Sequence, residues 1–247
     1  MKQNEAVILT LEKLGGVATL GQLNQETLKI KECIWKTKTP FASIRRIVQL
    51  DKNIYKIKSG LYGLVKFRAE IEARGIIAET EKNKTSKDVI EFNHSYFQGL
   101  LLTIGNLKGL NTFIPNQDKN KKFINTSLGE IRTLDVLPEY SYSHIVKRSS
   151  TIDVIWFNER NMPHSFFEVE HSTDIQNSLL KFHDLQDFYS RMVIVADIAR
   201  QQEYLSKIKY SSFKDLSTKN RVSFLDYEAL NNQYESILKQ QSFSFIL

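Results

Sequence analysis

The chain has 247 residues, of which 41% are hydrophobic and 25% are charged, and its formal net charge is +6. That hydrophobic content is enough for the packed cores of one large domain or two modest ones. No apolar run approaches the roughly 18 residues that span a membrane, and no apolar core of a signal peptide follows the first residues, so we expect a cytoplasmic protein without a membrane segment. The lone Cys33 excludes an internal disulfide, and five histidines without partner cysteines do not form a zinc site.

The basic excess is confined to the N-terminal part of the chain. Residues 1–78 carry 14 Lys and Arg against 7 Asp and Glu, a net of +7, whereas the remaining residues carry 20 against 21, a net of −1. Between Lys36 and Lys66, eight basic residues face only Asp51. This concentration is typical of a nucleic-acid-binding module, although a solvated basic surface has the same composition.

Residues 1–65 have the pattern of three helices followed by a β-hairpin. Apolar residues recur at helical spacing, with a capping box at Thr19 and Gln22 before the second helix and Pro40 opening the third. Alternation of period two in residues 54–58 and 61–65 predicts the hairpin. This order is that of a winged helix-turn-helix, in which the third helix enters the major groove. The candidate DNA contacts around that helix and on the hairpin are Lys38, Ser43, Arg45, Arg46, Gln49, Lys56 and Lys58.

A family resemblance supports this interpretation. The string from Lys38 to Arg46, the pair Asp51-Lys52 and the string from Gly60 to Leu64 resemble the HARE-HTH type of winged helix, a module found fused to restriction endonucleases and other DNA-acting proteins. The resemblance covers about residues 1–65 and implies binding to double-stranded DNA. A winged helix that contacts protein instead is the alternative.

The rest of the chain predicts a connector and a second domain. We assign residues 1–66 to the winged helix, residues 67–90 to a helical connector (68–77) with a polar linker, and residues 91–247 to the second domain. Periodicity in the second domain predicts helices at 96–107, 172–189, 201–208 and 227–240, and strands at 112–114, 130–134, 152–157, 166–170, 192–196 and 221–225. The predicted fold class is α/β (α+β), with a mixed sheet flanked by helices in the second domain.

Three acids lie on two apolar strands of this second domain. Asp153 stands at the start of the first strand, and Glu168 and Glu170 share one face of the next. A buried carboxylate costs several kcal/mol unless a cation offsets it, so the convergence of three predicts a divalent metal site. Mg²⁺ (or Mn²⁺) held by Asp153, Glu168 and Glu170 would polarise a scissile phosphate. Strand-end acids in ordinary salt bridges are the alternative.

The order of Asp153, a hairpin connection, Glu168-Val169-Glu170 and a helix resembles the core of the PD-(D/E)XK nuclease superfamily. The string from Phe167 to Ile175 and the helix behind it resemble a prokaryotic branch of type II restriction enzymes, over about residues 96–237. The resemblance implies a restriction-endonuclease-like fold with Asp153 and Glu168 as metal ligands. Glu170 occupies the place of the usual catalytic lysine, and Lys181 on the following helix is a candidate to supply that charge. A solvated surface lysine is the alternative for Lys181.

Together these patterns predict a Mg²⁺-dependent type II restriction endonuclease. The winged helix would bind double-stranded DNA, and the second domain would hydrolyse phosphodiester bonds at a specific sequence. A homodimer would place one active site on each strand. Two alternatives remain: a DNA-binding regulator whose nuclease-like domain is inactive, and a less specific nuclease acting in repair or on RNA.

Overall fold

The computed structural model describes residues 1–243, with side chains through Gln241. By packing, the chain divides into two compact units. Unit 1 contains Met1–Phe92 and the end of the chain from Asn231, and unit 2 contains Asn93–Leu230. The predicted mixed α+β class is confirmed. The predicted domain bounds stay a prediction; the packing units differ from them in placing the chain after Leu230 with the N-terminal residues.

Unit 1 surrounds a three-stranded antiparallel sheet in the order β1-β3-β2. Its strands and its complete helices are α1 (Gln3–Lys13), β1 (Val17–Thr19), α2 (Leu20–Glu26), α3 (Pro40–Leu50), β2 (Ile54–Lys58), β3 (Leu61–Leu64) and α4 (Arg68–Ala73). The three predicted helices and the hairpin are therefore present. Strand β1 was missed, because three buried residues leave no alternation to detect. Apolar residues of all three helices meet in one core, including Leu11, Leu23 and Val48.

Two long helices contribute residues to both units. Helix α5 is Lys87–Leu107 and helix α11 is Tyr227–Phe243. Helix α5 begins nine residues before the predicted start at residue 96, so residues 87–90 at the end of the expected polar linker are helical. The expected connector helix is shorter than predicted, since α4 ends at Ala73. None of the helices within residues 1–243 is long and apolar enough to cross a membrane.

Unit 2 contains the predicted mixed sheet, in the order β10-β9-β8-β7-β4. Strands β4, β7 and β8 pair antiparallel, whereas β8, β9 and β10 pair parallel. The strands are β4 (Asn111–Phe113), β7 (Val154–Phe157), β8 (Pro163–Glu170), β9 (Arg191–Ala196) and β10 (Val222–Asp226), and a separate small hairpin consists of β5 (Lys122–Phe123) and β6 (Thr126–Ser127).

The shorter helices of unit 2 lie between or after these strands. They are α6 (Leu128–Ile131), α7 (Ser143–Ser149), α8 (Ile175–Asp184), α9 (Gln201–Lys207) and α10 (Lys214–Thr218). The predicted strand at 130–134 is wrong, because Ser127 and Glu130 form a capping box that starts α6 instead. Helix α8 ends at Asp184, short of the predicted residue 189.

Helix α8 packs against the sheet and thereby fixes the position of the acidic strands. Leu179 and Phe182 of α8 share a buried cluster with Ile155 of β7 and with Phe166 of β8. Because side chains alternate along a strand, Glu168 lies on the same face of β8 as Phe166. The apolar contacts of α8 therefore hold its polar residues next to that carboxylate.

Candidate active site

Asp153 and Glu168 meet where strands β7 and β8 run side by side. The pairing of Val154 with Phe167 brings Asp153, just ahead of β7, alongside Glu168. The backbone N–H of Val169 donates to Asp153 Oδ2 at 2.8 Å, and the backbone N–H of Asp153 approaches Glu168 Oε1 at 3.4 Å. The hairpin register thus brings together two of the three acids that the sequence pattern predicted to converge.

Glu168 is almost fully buried and is held by helix α8. Only 2% of the residue is exposed. Lys181 Nζ donates to Glu168 Oε2 at 2.8 Å, and Ser178 Oγ donates to the same oxygen at 3.0 Å. A buried carboxylate requires such donors, because unpaired burial of its charge costs several kcal/mol.

Lys181 lies in the site and not on the open surface of α8. Its side chain is 22% exposed, and Nζ donates both to Glu168 and to the carbonyl oxygen of Thr151 at 2.9 Å. Thr151 lies two residues before Asp153. The lysine ammonium is therefore fixed between the chain segment that leads to Asp153 and the carboxylate of Glu168.

Glu170 is buried beside this pair but has its own set of partners. Its oxygens accept hydrogen bonds from the Thr173 and Ser178 hydroxyls, and Arg200 Nη1 lies 3.8 Å from Oε2. Ser178 lies within hydrogen-bonding distance of both Glu168 and Glu170. A hydroxyl carries one proton, so Ser178 links the two carboxyl groups but donates fully to only one of them at a time.

Helix α5 adds two polar residues next to Asp153. His94 Nε2 lies 3.3 Å from Asp153 Oδ2, and Gln98 Nε2 donates to the Asp153 carbonyl oxygen at 3.3 Å and to Asp118 Oδ2 at 2.9 Å. The sequence interpretation did not include His94, although its spacing of four from Gln98 places both on one helical face. Arg200 was also missed, and no signal in the sequence connects it with Glu170.

The negative charges of Asp153 and Glu168 repel each other. The pKa of Glu168 is raised to about 8, first by burial and then by the charge of Asp153, against the opposing effect of Lys181. Burial also acts to raise the pKa of Asp153, but the hydrogen bond and charge of His94, together with the Val169 N–H and the charge of Lys181, hold that pKa below its usual value. Burial acts to lower the pKa of His94, yet Asp153 raises it overall. The local positive charge therefore does not fully offset two ionised carboxylates.

Asp153 and Glu168 fit a single divalent cation whose other ligands are waters and substrate oxygens. Within the described part of the chain, no three His, Cys, Asp or Glu side chains are grouped so that they could hold a metal ion. Mg²⁺ is usually held by one or two carboxylates together with waters and substrate phosphate oxygens. Asp153 and Glu168 supply two such carboxylates, and a cation would relieve the repulsion that raises the pKa of Glu168.

The candidate DNA contacts of unit 1 differ in exposure. Those with exposed side chains are Lys38, Arg45, Arg46, Gln49 and Lys56, whereas Ser43 is half-buried. Arg45 forms an ion pair with Glu235 of α11, with Nη2 and Oε2 2.6 Å apart. Lys58 is only 8% exposed, and its burial lowers its pKa to about 7. A buried side chain cannot reach a phosphate, so we leave Lys58 out of the proposed DNA-binding face.

A comparison with known protein families places most of the chain in a class of restriction enzymes. Residues 75–246 match the family model of the C-terminal domain of the type II restriction enzyme NmeDI. Since the match covers more than half of the chain, the chain belongs to the NmeDI C-terminal domain family of type II restriction enzymes.

One curated relative carries the same name. The type II restriction enzyme NmeDI of Neisseria meningitidis serogroup C is 23% identical over 195 residues, which cover 70% of this chain and 54% of the relative. The chain thus spans about half the length of the curated relative it matches. The comparison with solved structures gave no match.

Proposed function

We propose that the protein is a Mg²⁺-dependent (or Mn²⁺-dependent) DNA endonuclease, a type II restriction enzyme that hydrolyses phosphodiester bonds at a specific sequence. The observation that carries this proposal is the contact of Lys181 with Glu168 beside Asp153. A buried and a half-buried carboxylate can hold a divalent metal that assists phosphodiester hydrolysis, and a fixed ammonium beside them can offset negative charge on the phosphate. Membership of a restriction enzyme family supports the same reaction class.

The division of roles follows from the contacts. Asp153 and Glu168 would hold the metal, which supplies Lewis acidity at the scissile phosphate and lowers the pKa of a bound water. Lys181 would offset charge on Glu168 and, beside it, on the phosphate. Helix α5 would orient Asp153, through His94 at the carboxylate and Gln98 at the carbonyl oxygen.

In this proposal Asp153 and Glu168 hold the metal, and Glu170 is not a metal ligand. Its two oxygens are engaged by Thr173 and Ser178, and Arg200 lies near one of them. In the PD-(D/E)XK arrangement that the sequence resembles, Glu170 stands where a lysine is usual. The position of Lys181 supports the inference that helix α8 supplies this cation from another point of the chain.

Unit 1 would deliver the site to double-stranded DNA. Its three helices and hairpin have the order of a winged helix, and the exposed Arg45, Arg46 and Gln49 lie on the third of these helices. The N-terminal concentration of basic residues supports binding to the phosphate backbone. We further propose a homodimer, because its two-fold symmetry would place one active site on each strand of the DNA.

The test combines cleavage with binding. Purified wild-type protein is incubated with plasmid DNA and Mg²⁺, and we expect discrete fragments that disappear when EDTA removes the metal. Asp153→Asn and Glu168→Gln should each lower the cleavage rate by about 100-fold or more while leaving DNA binding nearly unchanged, because each removes a charge that acts on the reaction.

Asp184→Asn is the matched control, since Asp184 also lies on α8 but pairs with Arg148 outside the site. Its cleavage rate should equal that of the wild type. Cleavage that survives loss of Asp153 or Glu168 would refute the assigned site. A smear in place of discrete bands would indicate a less specific nuclease, and binding without any cleavage would indicate a regulator.

A further inference from the structure

Arg45 on helix α3 is held by an acid that is 190 residues away in the chain. Its Nη2 lies 2.6 Å from Glu235 Oε2; the arginine side chain is 50% exposed, and the glutamate side chain 15%. Within the described residues, the other guanidinium nitrogens of Arg45 make no hydrogen bond. One side of the planar guanidinium group is therefore fixed inside unit 1, and its other N–H groups remain open to a ligand.

The helix that carries Glu235 is anchored firmly. In unit 1, Tyr234 and Leu238 of α11 are 4% and 6% exposed. Tyr234 Oη lies 3.4 Å from the Thr19 hydroxyl, and Gln25 Nε2 donates to the Leu238 carbonyl oxygen at 3.1 Å. Glu235 is thus a rigid support and not a mobile surface acid.

The neighbouring Arg46 provides a contrast on the same helix. Arg46 is exposed, and no ion pair to it is found in the part of the chain that the structure describes. An arginine that binds phosphate acts through its full charge, whereas an arginine that reads guanine must hold its planar fork in one orientation. A nearby carboxylate weakens the first role, because it offsets the charge, and favours the second, because it fixes the fork.

We propose that Arg45 reads a base edge in the major groove and that Glu235 is the residue that positions it, while Arg46 contacts phosphate. This inference rests on the proposed function, since it requires unit 1 to bind DNA. Glu235 acts here as a positioning residue and does not itself contact DNA. Its charge also suppresses use of Arg45 as a non-specific phosphate contact.

The experiment measures sequence discrimination and salt dependence in the full chain. Asp153→Ala is used as the background so that DNA stays intact, and preferred duplexes are selected from a random-sequence library. Affinities for a selected duplex and for one with a changed base pair are then measured at several salt concentrations. Glu235→Gln should lower discrimination by between about 5-fold and 150-fold at the base pair that Arg45 reads. It should also steepen the salt dependence of non-specific binding by up to about 0.9 in the logarithmic slope, because the released Arg45 becomes free to bind phosphate.

Two further variants separate positioning from a structural role. Arg46→Gln should flatten the slope by about 0.9 and leave discrimination unchanged. Arg45→Lys keeps a positive charge opposite Glu235 but loses the planar fork, so it should lose discrimination even if Glu235→Gln fails to fold. If wild-type protein binds no duplex DNA, the proposed function fails and this inference fails with it. If it binds with discrimination that neither Glu235→Gln nor Arg45→Lys alters, only this inference is overturned.

Discussion

Lys181 shows how one side chain changes the chemistry of a buried acidic site. It donates to Glu168 and to the Thr151 carbonyl oxygen, so its position is determined by two partners. Without it, Glu168 would be a buried carboxylate with a hydroxyl donor and a nearby like charge. Its pKa, already raised to about 8, would rise further.

Lys181→Met should therefore lower the cleavage rate by about 100-fold or more, because it removes a fixed positive charge beside the reacting phosphate. Lys181→Arg should retain part of the activity. The measurement is a single-turnover cleavage rate at saturating metal. Lys207→Met is the matched control, since Lys207 pairs with Asp174 and Glu203 and not with Glu168. Equal rates for Lys181→Met and wild type would show that Lys181 has only a structural role.

The burial of Lys58 leads to a second prediction, which concerns stability. Burial lowers its pKa to about 7 in the folded protein, with partial opposition from Glu79, whereas an unfolded lysine has a pKa of about 10.4. Between these values the unfolded chain binds more protons than the folded one. The free energy of unfolding of unit 1 therefore rises with pH from about 7 to about 10, by at most about 1.4 kcal/mol per pH unit.

Lys58→Met removes the contribution of Lys58 to the pH dependence of the free energy of unfolding. The variant should be more stable than the wild type at pH 6.5, and by a smaller difference at pH 9. Urea denaturation followed by the fluorescence of Trp35, in a Trp156→Phe background, measures the difference in unit 1. An advantage of Lys58→Met that stays constant with pH would contradict the lowered pKa of the lysine.

Helix α5 positions part of the site and is itself positioned by a glycine. A Cβ on Gly99 would overlap Phe123 Cδ2 and would lie 2.8 Å from Phe123 Cβ. The backbone of α5 therefore packs directly on the aromatic ring of β5. His94 and Gln98 lie on the same helix, so this close approach also sets their distance from Asp153.

Gly99→Ala should destabilise unit 2 by about 1–3 kcal/mol through overpacking, although alanine is the better helix former by about 1 kcal/mol. Phe123→Ala should be destabilising by itself, but adding Gly99→Ala to it should cost less than it does in the wild type, because the contacts with the ring are gone and only the contact with the Cβ of residue 123 remains. Chemical denaturation of the two single variants and the double variant measures the coupling. Additive effects would indicate that the helix relaxes without contact with Phe123.

Across the whole molecule, the division of charge and the division by packing follow different boundaries. The basic excess lies in residues 1–78, but unit 1 also includes the chain from Asn231. That returning helix brings Glu235 to the most basic part of the chain. Composition along the sequence could not reveal this, since Arg45 and Glu235 are 190 residues apart.

Much of the fold could be predicted because it depends on local patterns. Alternation identified β2, β3 and β8, and helical spacing with caps identified α2 and α3. Errors occurred where local signals conflicted with tertiary context. Residues 130–134 contain apolar residues in a strand-like pattern. The capping box of Ser127 and Glu130, which begins three residues before this stretch, starts a helix instead. The start of α5 was misplaced because its first two residues, Lys87 and Asp88, are charged and exposed and continue the polar run before them.

By itself, the sequence determined the class of fold, the basic N-terminal region and the convergence of Asp153 with Glu168, because strand periodicity and pairing constrain neighbours to one face. The sequence left Lys181 open between this site and the surface, and only the tertiary structure brought Lys181, His94 and Arg200 next to the acids. Those residues come from separate helices or turns, and their approach depends on how α5, α8 and the turn before α9 pack on the sheet. Packing also placed Glu235 against Arg45 and buried Lys58, since contact and burial are properties of the assembled chain and not of its local pattern.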